Sequence, residues 1–175
     1  LKGGINGVPV AWEECETGYA TDRGVECYER MKGKNGGATV FQTMSTGITL
    51  ALTERGIADG IPILTPAYGL SESADGEVFK WSFPIGGSHW ASADTQIQYV
   101  AQKLGGLDKL KGKKIALLYH DSPYGKEAIP VMTVRAKKHE FELTTIPVSH
   151  PGVDQKAAWL QIRRARPDFV LLWGW

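Results

Sequence analysis

The chain of 175 residues lacks most of what would announce a chemistry or an address. No apolar run approaches the ~18 residues that span a bilayer, and no leader pattern opens it. Basic and acidic residues nearly cancel, 20 against 19, so no charge excess favours nucleic acid or an anionic membrane. No G-x-G-x-x-G follows a strand pattern and no G-x-x-x-x-G-K-S/T occurs, which removes the signatures of dinucleotide and phosphate-loop binding. G-x-S-x-G and H-E-x-x-H are also missing. The four histidines, His89, His120, His139 and His150, are scattered, none paired at ligand spacing. No cofactor and no metal is therefore expected. With only two cysteines there is no C-x-x-C.

What is present describes a globular core: 42% apolar and 22% charged residues. Six tryptophans are many for this length, and a surplus of Trp marks either a binding surface or simple core filling. Cys15 follows a strand pattern, Val8 to Trp12, and Cys27 lies on a predicted helix. A strand end and the next helix approach within disulfide range, so the pair reads as a disulfide or as two buried thiols. Glu13, Glu14 and Glu16 read as a solvated loop, with a cation site as the alternative.

Strand and helix patterns alternate along the whole chain, the spacing of an α/β fold with parallel sheets flanked by helices. Strands are predicted at Val8 to Trp12, Ala38 to Phe41, Ile61 to Thr65, Val78 to Phe83, Ile115 to Tyr119, Phe141 to Val148 and Asp168 to Trp173. Helices are predicted from a Thr21 cap to Lys32, from Ser45 or Thr46 to Asp59, from a Ser92 cap to Leu104, through Ala136, and from an Asp154 cap to Arg164. Pro130 leaves two starts for the fourth: near Glu127, or earlier with a kink. Gly86-Gly87 offers two freely turning positions. It is the expected hinge between a first lobe, 1–86, and the first part of a second, 87–175.

In open α/β sheets ligands bind beyond the carboxyl ends of the strands, where helix N-termini present unpaired N–H groups. Ser45-Thr46-Gly47 opens one helix there, as ligand donors or as an ordinary N-cap. Ala67-Tyr68-Gly69 follows a strand directly. Trp90 precedes the predicted Ser92 cap, Tyr124 lies in the turn after Ile115 to Tyr119, and Trp175 lies just past the last strand. These aromatics are candidates for a cleft that takes a small ligand with an apolar or flat part; plain packing is the alternative.

The order of these pieces resembles the type I periplasmic solute-binding proteins of ABC importers, in the leucine/isoleucine/valine-binding branch. The matching stretches are G-G-I-N-G at Gly3 to Gly7, G-I-P-I-L-T-P at Gly60 to Pro66, H-D-S-P-Y-G at His120 to Gly125, and R-P-D-F-V-L-L-W-G at Arg166 to Gly174. The resemblance implies two Rossmann-like lobes, here incomplete at both ends, with the first strand–helix unit of lobe 1 missing. It implies non-catalytic capture of a small molecule between hinged lobes. Delivery is to a permease in the inner membrane, from a periplasmic or extracytoplasmic location and as a monomer when full length. Carried over by position, the ligand contacts are Ser45 or Thr46 and Ala67 to Gly69 from lobe 1, and Tyr124 and Trp175 from lobe 2.

The chain departs from the amino-acid binders of that family at two positions. They place a hydroxyl residue where this chain has Gly69, and a Tyr where it has Trp175. A lost donor for a ligand carboxylate costs about 1–3 kcal/mol if nothing replaces it; the Ser71 or Tyr68 hydroxyl would be the substitute. An aromatic acid, an amide or another small organic solute then fits as well as leucine. Two other readings share the fold: a ligand-sensing receptor domain, and a small hydrolase built on His120 and Asp121. The hydrolase lacks a nameable set of nucleophile, base and orienter.

Overall fold

The computed structural model describes residues 3–66 and 69–175, which build two three-stranded parallel sheets. In the first, β1 (Phe41–Gln42), β2 (Ile63–Pro66) and β3 (Ser82–Ile85) lie side by side in chain order. Phe41 stands opposite Ile63, and Leu64 opposite Phe83. Helices α1 (Thr21–Met31) and α2 (Thr46–Asp59) supply its core. Tyr28, Ile48, Leu52, Ile61 and Ile63 cluster there, each buried. Ser45 caps α2, its hydroxyl accepting from Ile48 N at 3.4 Å, and Gly60 ends the helix at φ 66°.

The second sheet is centred on β4 (Lys114–His120), with β5 (Glu142–Val148) on one side and β6 (Phe169–Trp173) on the other. Ile115 to Leu118 are all buried, because the strand is covered on both faces. Its period of two divides them. Ile115 and Leu117 join the core under α3 (His89–Leu104) and α5 (Ala128–His139), with Ile97, Val100 and Met132. Ala116 and Leu118 join the opposite core under α6 (Lys156–Ala165), with Ile146 and Ile162. Each large side chain among them contributes roughly 1.5–3 kcal/mol of burial. From β4 the chain runs out to β5 and then back across to β6. The strand order therefore reverses between β4 and β6, the place where open α/β sheets bind ligands beyond the carboxyl ends of their strands.

The chain leaves the first sheet through Gly86 and Gly87, at φ 93° and 137°, and α3 packs on the second. This helix begins one turn before the expected Ser92 cap. Ser88, extended at φ −129°, accepts from Ala91 N at 3.3 Å and is the real cap. Ser92 turns back along the helix, its hydroxyl donating to the Ser88 carbonyl. Thr21 and Asp154 likewise flank the cap positions of their helices, which Ala20 and Gln155 occupy. Expected strand Val78 to Phe83 shifts along to Ser82–Ile85. Expected strand Val8 to Trp12 does not form: Val8 makes a single bridge to Ile5, and Val8, Val10 and Trp12 are all exposed. Pro9 removes a ladder donor near its start, and no strand lies beside it among the described residues.

Between β4 and α5 lies the short helix α4 (Pro123–Lys126), capped by the Ser122 hydroxyl, which accepts from Gly125 N at 3.2 Å. Pro123 takes its first position, where a missing N–H costs nothing. The helical stretch thus does start early, with Glu127 at the joint and Pro130 in the first turn of α5.

Cys15 and Cys27 are disulfide-bonded, with Cα atoms 5.9 Å apart, and tie the loop before α1 to that helix. Glu13 in the same loop pairs with Lys34 at 2.7 Å, so the acidic cluster is partly neutralised from within the chain. Replacing both cysteines by Ser should cost about 2–3 kcal/mol, the chain-entropy value for so short a loop. Urea unfolding of the two forms checks this, and a difference below about 0.5 kcal/mol would contradict it.

Candidate functional site

Segments beyond the carboxyl ends of the two sheets meet: Thr46 and Ser71, after β1 and β2, reach Glu127, after β4. The N-terminus of α2 sits against α4: a methyl placed on Gly47 would lie 3.5 Å from the Pro123 ring. Tyr19, in a left-handed conformation (φ 63°) just before α1, reaches across the same gap. Its hydroxyl lies beside the side chains of Ser45 and Ser122, and burial pushes its phenol pKa up. It is a protonated donor at neutral pH.

The aromatics gather around that ring. Trp175 lies 4.8 Å from Tyr19, 5.4 Å from Tyr124 and 4.1 Å from His120, centroid to centroid. His120 ends β4 and meets His150, which follows β5, with Nε2 and Nδ1 3.3 Å apart. Burial and the neighbouring His150 both push the His120 pKa down, so its ring is neutral at physiological pH. Tyr124 also packs edge-on against His89, the first residue of α3, at 4.9 Å. Trp175 remains 69% exposed.

Behind this cluster, nearer the crossing between the sheets, a carboxylate is buried. Glu127, 6% exposed, accepts from the Thr46 hydroxyl at 2.7 Å and Leu70 N at 3.3 Å through Oε1. Through Oε2 it accepts from Ser71 N at 3.0 Å and the Ser71 hydroxyl at 2.8 Å. His89 Nδ1 stands 3.2 Å from Oε1. Burial alone would raise the Glu127 pKa; the hydrogen bonds from His89, Thr46 and Ser71 outweigh it and hold the group at about 2. With the carboxylate ionised, Nδ1 of His89 carries the proton and donates, so its 3.5 Å approach to Gly69 N is not a competing bond.

Of the site residues expected from the sequence, Ser45, Thr46, Tyr124 and Trp175 come together at the gap. Gly69 lies against α2 at φ 73°, where a methyl would stand 3.1 Å from the Thr46 hydroxyl. That close approach and the left-handed backbone both favour glycine here, where the amino-acid binders of the resembled family place a hydroxyl residue. Ala67 and Tyr68 lie outside the described residues. The Ser71 hydroxyl, the expected substitute donor, is engaged by Glu127 and also accepts from Trp90 N at 3.3 Å. The Trp90 ring joins none of the aromatic contacts among the described residues. It lines a groove between α3 and α5 with Asp94, Pro130, Val131, Val134 and Arg135. Tyr19, His89, His150 and Glu127 belong to the site without having been expected there. The one local signal for Tyr19 is an aromatic after Gly18 in an otherwise polar loop.

His120 and Asp121 are adjacent in sequence, but their side chains turn to different partners. Asp121 is salt-bridged to Lys126 at 2.8 Å, and His120 turns to His150. No group of three or more acidic, His or Cys side chains able to hold a metal occurs among the described residues.

A sequence model of the periplasmic binding protein family matches residues 1–175. Among curated proteins none matches. Among solved structures, one titled as an ABC transporter permease from the Pseudomonas fluorescens group is 46% identical, with a TM-score of 0.82 over 100% of this chain and 43% of that one. A branched chain amino acid ABC transporter from Thermus thermophilus with bound valine is 20% identical, with a TM-score of 0.74, covering 88% of this chain and 38% of that one. A solute binding protein of an ABC transporter from R. palustris in complex with benzoate is 17% identical, with a TM-score of 0.80, covering 99% and 46%. The chain spans less than half the length of each of these three.

Proposed function

The chain belongs to the periplasmic binding protein family, and we propose that it captures a small solute between two hinged lobes for delivery to the permease of an ABC importer. Lobe 1 is residues 1–86, lobe 2 begins at 87, and Gly86-Gly87 is part of the hinge. The observation that carries the reading is the convergence of Tyr19, Tyr124 and Trp175 on the gap faced by the N-terminus of α2. Aromatic faces enclose an apolar or flat ligand body. The first N–H groups of α2, at Thr46 and Gly47, have no partner within their helix and take a polar head. Valine and benzoate, held by the Thermus and R. palustris proteins, are ligands of this build. The ligand class is a small amino acid or a related small organic acid, amide or aromatic compound. An extracytoplasmic location accords with the family and with the disulfide.

A closing hinge works by population shift, because a ligand that touches both lobes favours the closed state. A thermal-shift screen of small acids, amides and amino acids, followed by calorimetry on the hits, tests the reading. Trp175→Ala should weaken binding by about 2 kcal/mol, roughly 30-fold, as for an aromatic anchor. Trp159, on the surface of α6 with its indole N–H on Gln155, is the control: its replacement should leave affinity unchanged. Equal losses for the two variants would place the site elsewhere.

A further inference from the structure

We propose that Glu127 is a positioning residue for ligand capture: its carboxylate bridges the two lobes beneath the cleft and stabilises their closed arrangement, so that a bound solute has less to supply. This rests on the reading that the lobes close on a ligand. It adds that the chain supplies part of the closing interaction itself.

Glu127 stands at the joint of α4 and α5, in the lobe of Tyr124 and Trp175. Four of its five donors come from the other lobe: the Thr46 hydroxyl, Leu70 N, and both the N–H and the hydroxyl of Ser71. The fifth, His89, opens the first helix after the hinge glycines. The residues that Glu127 grips are shaped for it. Gly69 and Leu70 are consecutive left-handed residues, at φ 73° and 56°. Such a backbone turns the N–H groups that follow toward one point and makes a nest for an anion. Leu70 is not a residue that adopts this conformation freely, and the anion that offsets the strain comes from the other lobe. Lys126, next to Glu127 in the chain, is salt-bridged to Asp121 instead.

The consequence for the site is geometric. Thr46 is the first residue of α2, and Gly69 rests on it. Fixing Thr46 and the 69–71 turn to the base of the Tyr124 turn sets the register between the polar end of the cleft and its aromatic wall. With the carboxylate gone, Leu70 N and Ser71 N lose their partner and recover solvent only if the lobes part.

The test is run without ligand, so it does not depend on which solute the cleft takes. Spin labels at E54C on α2 and K137C on α5, both exposed, report the distance between the lobes in the disulfide-intact protein. Glu127→Gln keeps the volume but offers one acceptor where two are used. It should deplete the shorter-distance population in favour of longer values and broaden the distribution, at temperatures well below unfolding. Ser71→Ala, on the other lobe, should do the same in part. The double variant should move little further than E127Q alone, since both remove one interaction. A purely structural role would lower the melting temperature and leave the distances unchanged. Distances in E127Q that superimpose on those of the unaltered protein would overturn the proposal. If E127Q does not fold, S71A decides the matter alone: a longer, broader distribution supports the bridge and an unchanged one overturns it.

Discussion

Gly125→Ala should destabilise the protein by at least about 3 kcal/mol, the range of severe backbone and packing conflicts. It should also abolish solute binding. Gly125 lies in α4, soon after the end of β4, and the chain doubles back so tightly that an added methyl would overlap the His120 carbonyl. The obstacle is backbone, not the end of a flexible side chain, so nothing can swing aside. Relief would require opening the β4–α4 turn. Ser122 N donates to the same His120 carbonyl at 2.8 Å, and the Ser122 hydroxyl caps Gly125, so opening the turn breaks both. The turn also carries Tyr124 and leads into Glu127. For a chain of this size the loss corresponds to a fall in Tm of roughly 6–12 °C. Thermal unfolding of the variant reads it. A fall of less than about 2 °C would mean that the turn is looser than its geometry implies. Gly24 makes a useful comparison: the atoms nearest a methyl there belong to the Ile48 side chain, not to backbone.

The difference between those two glycines also marks what could be read from residues alone. Strand β4 was legible because both its faces are buried, and an apolar run from Ile115 to Tyr119 behind paired lysines has few other readings. The turn after it was legible for a related reason: His-Asp-Ser-Pro-Tyr-Gly holds a cap, a proline for the first helical position and a glycine. The carboxyl-edge argument then gathered Ser45, Thr46, Tyr124 and Trp175, since the direction of parallel strands fixes where their loops go. Val8 to Trp12 misled because its apolar pattern is local, whereas a strand needs a neighbour. Ser92 misled because Ser88 competes for the same helix, and only the chain path through Gly86-Gly87 decides between them. Glu127 was invisible for a deeper reason. In Y-G-K-E-A it reads as a solvated acid beside a lysine, while its partners Thr46, Leu70 and Ser71 stand 56 to 81 residues away in the chain. Burial of a charge depends on tertiary contacts that no local pattern carries. Tyr19 is the same case on a smaller scale, a ring whose contacts come from the far ends of β5 and β6.

Stability should fall on acidification through the range between about 4.5 and about 2, and Glu127 should account for much of that fall. Its carboxyl has an ordinary value of 4.5 in the unfolded chain and about 2 in the folded one. A depressed folded pKa means that the unfolded state binds the proton first. The contribution is therefore complete above about 4.5 and is lost as pH drops toward 2. After allowance for solvent screening, the coupling is worth on the order of 2 kcal/mol. Of the titratable groups near it, His89 touches it directly and Tyr19 interacts with it electrostatically. Of these, Tyr19 stays protonated throughout this range because burial raises its pKa. Exposed acids that pair with lysines, such as Glu13, held below its ordinary value by its hydrogen bond with Lys34, contribute little each. The experiment is urea unfolding at about pH 7 and about pH 3 on the unaltered protein and on Glu127→Gln. The unaltered protein should lose stability between the two by more than the variant does, with an excess of about 1–2 kcal/mol because the titration is incomplete at the lower pH. The variant should already be weaker at neutral pH, because a neutral amide cannot accept from Thr46, Leu70, His89 and Ser71 together. Parallel pH dependences for the two proteins would show that the carboxylate at the joint of α4 and α5 is not the group whose protonation loosens the fold.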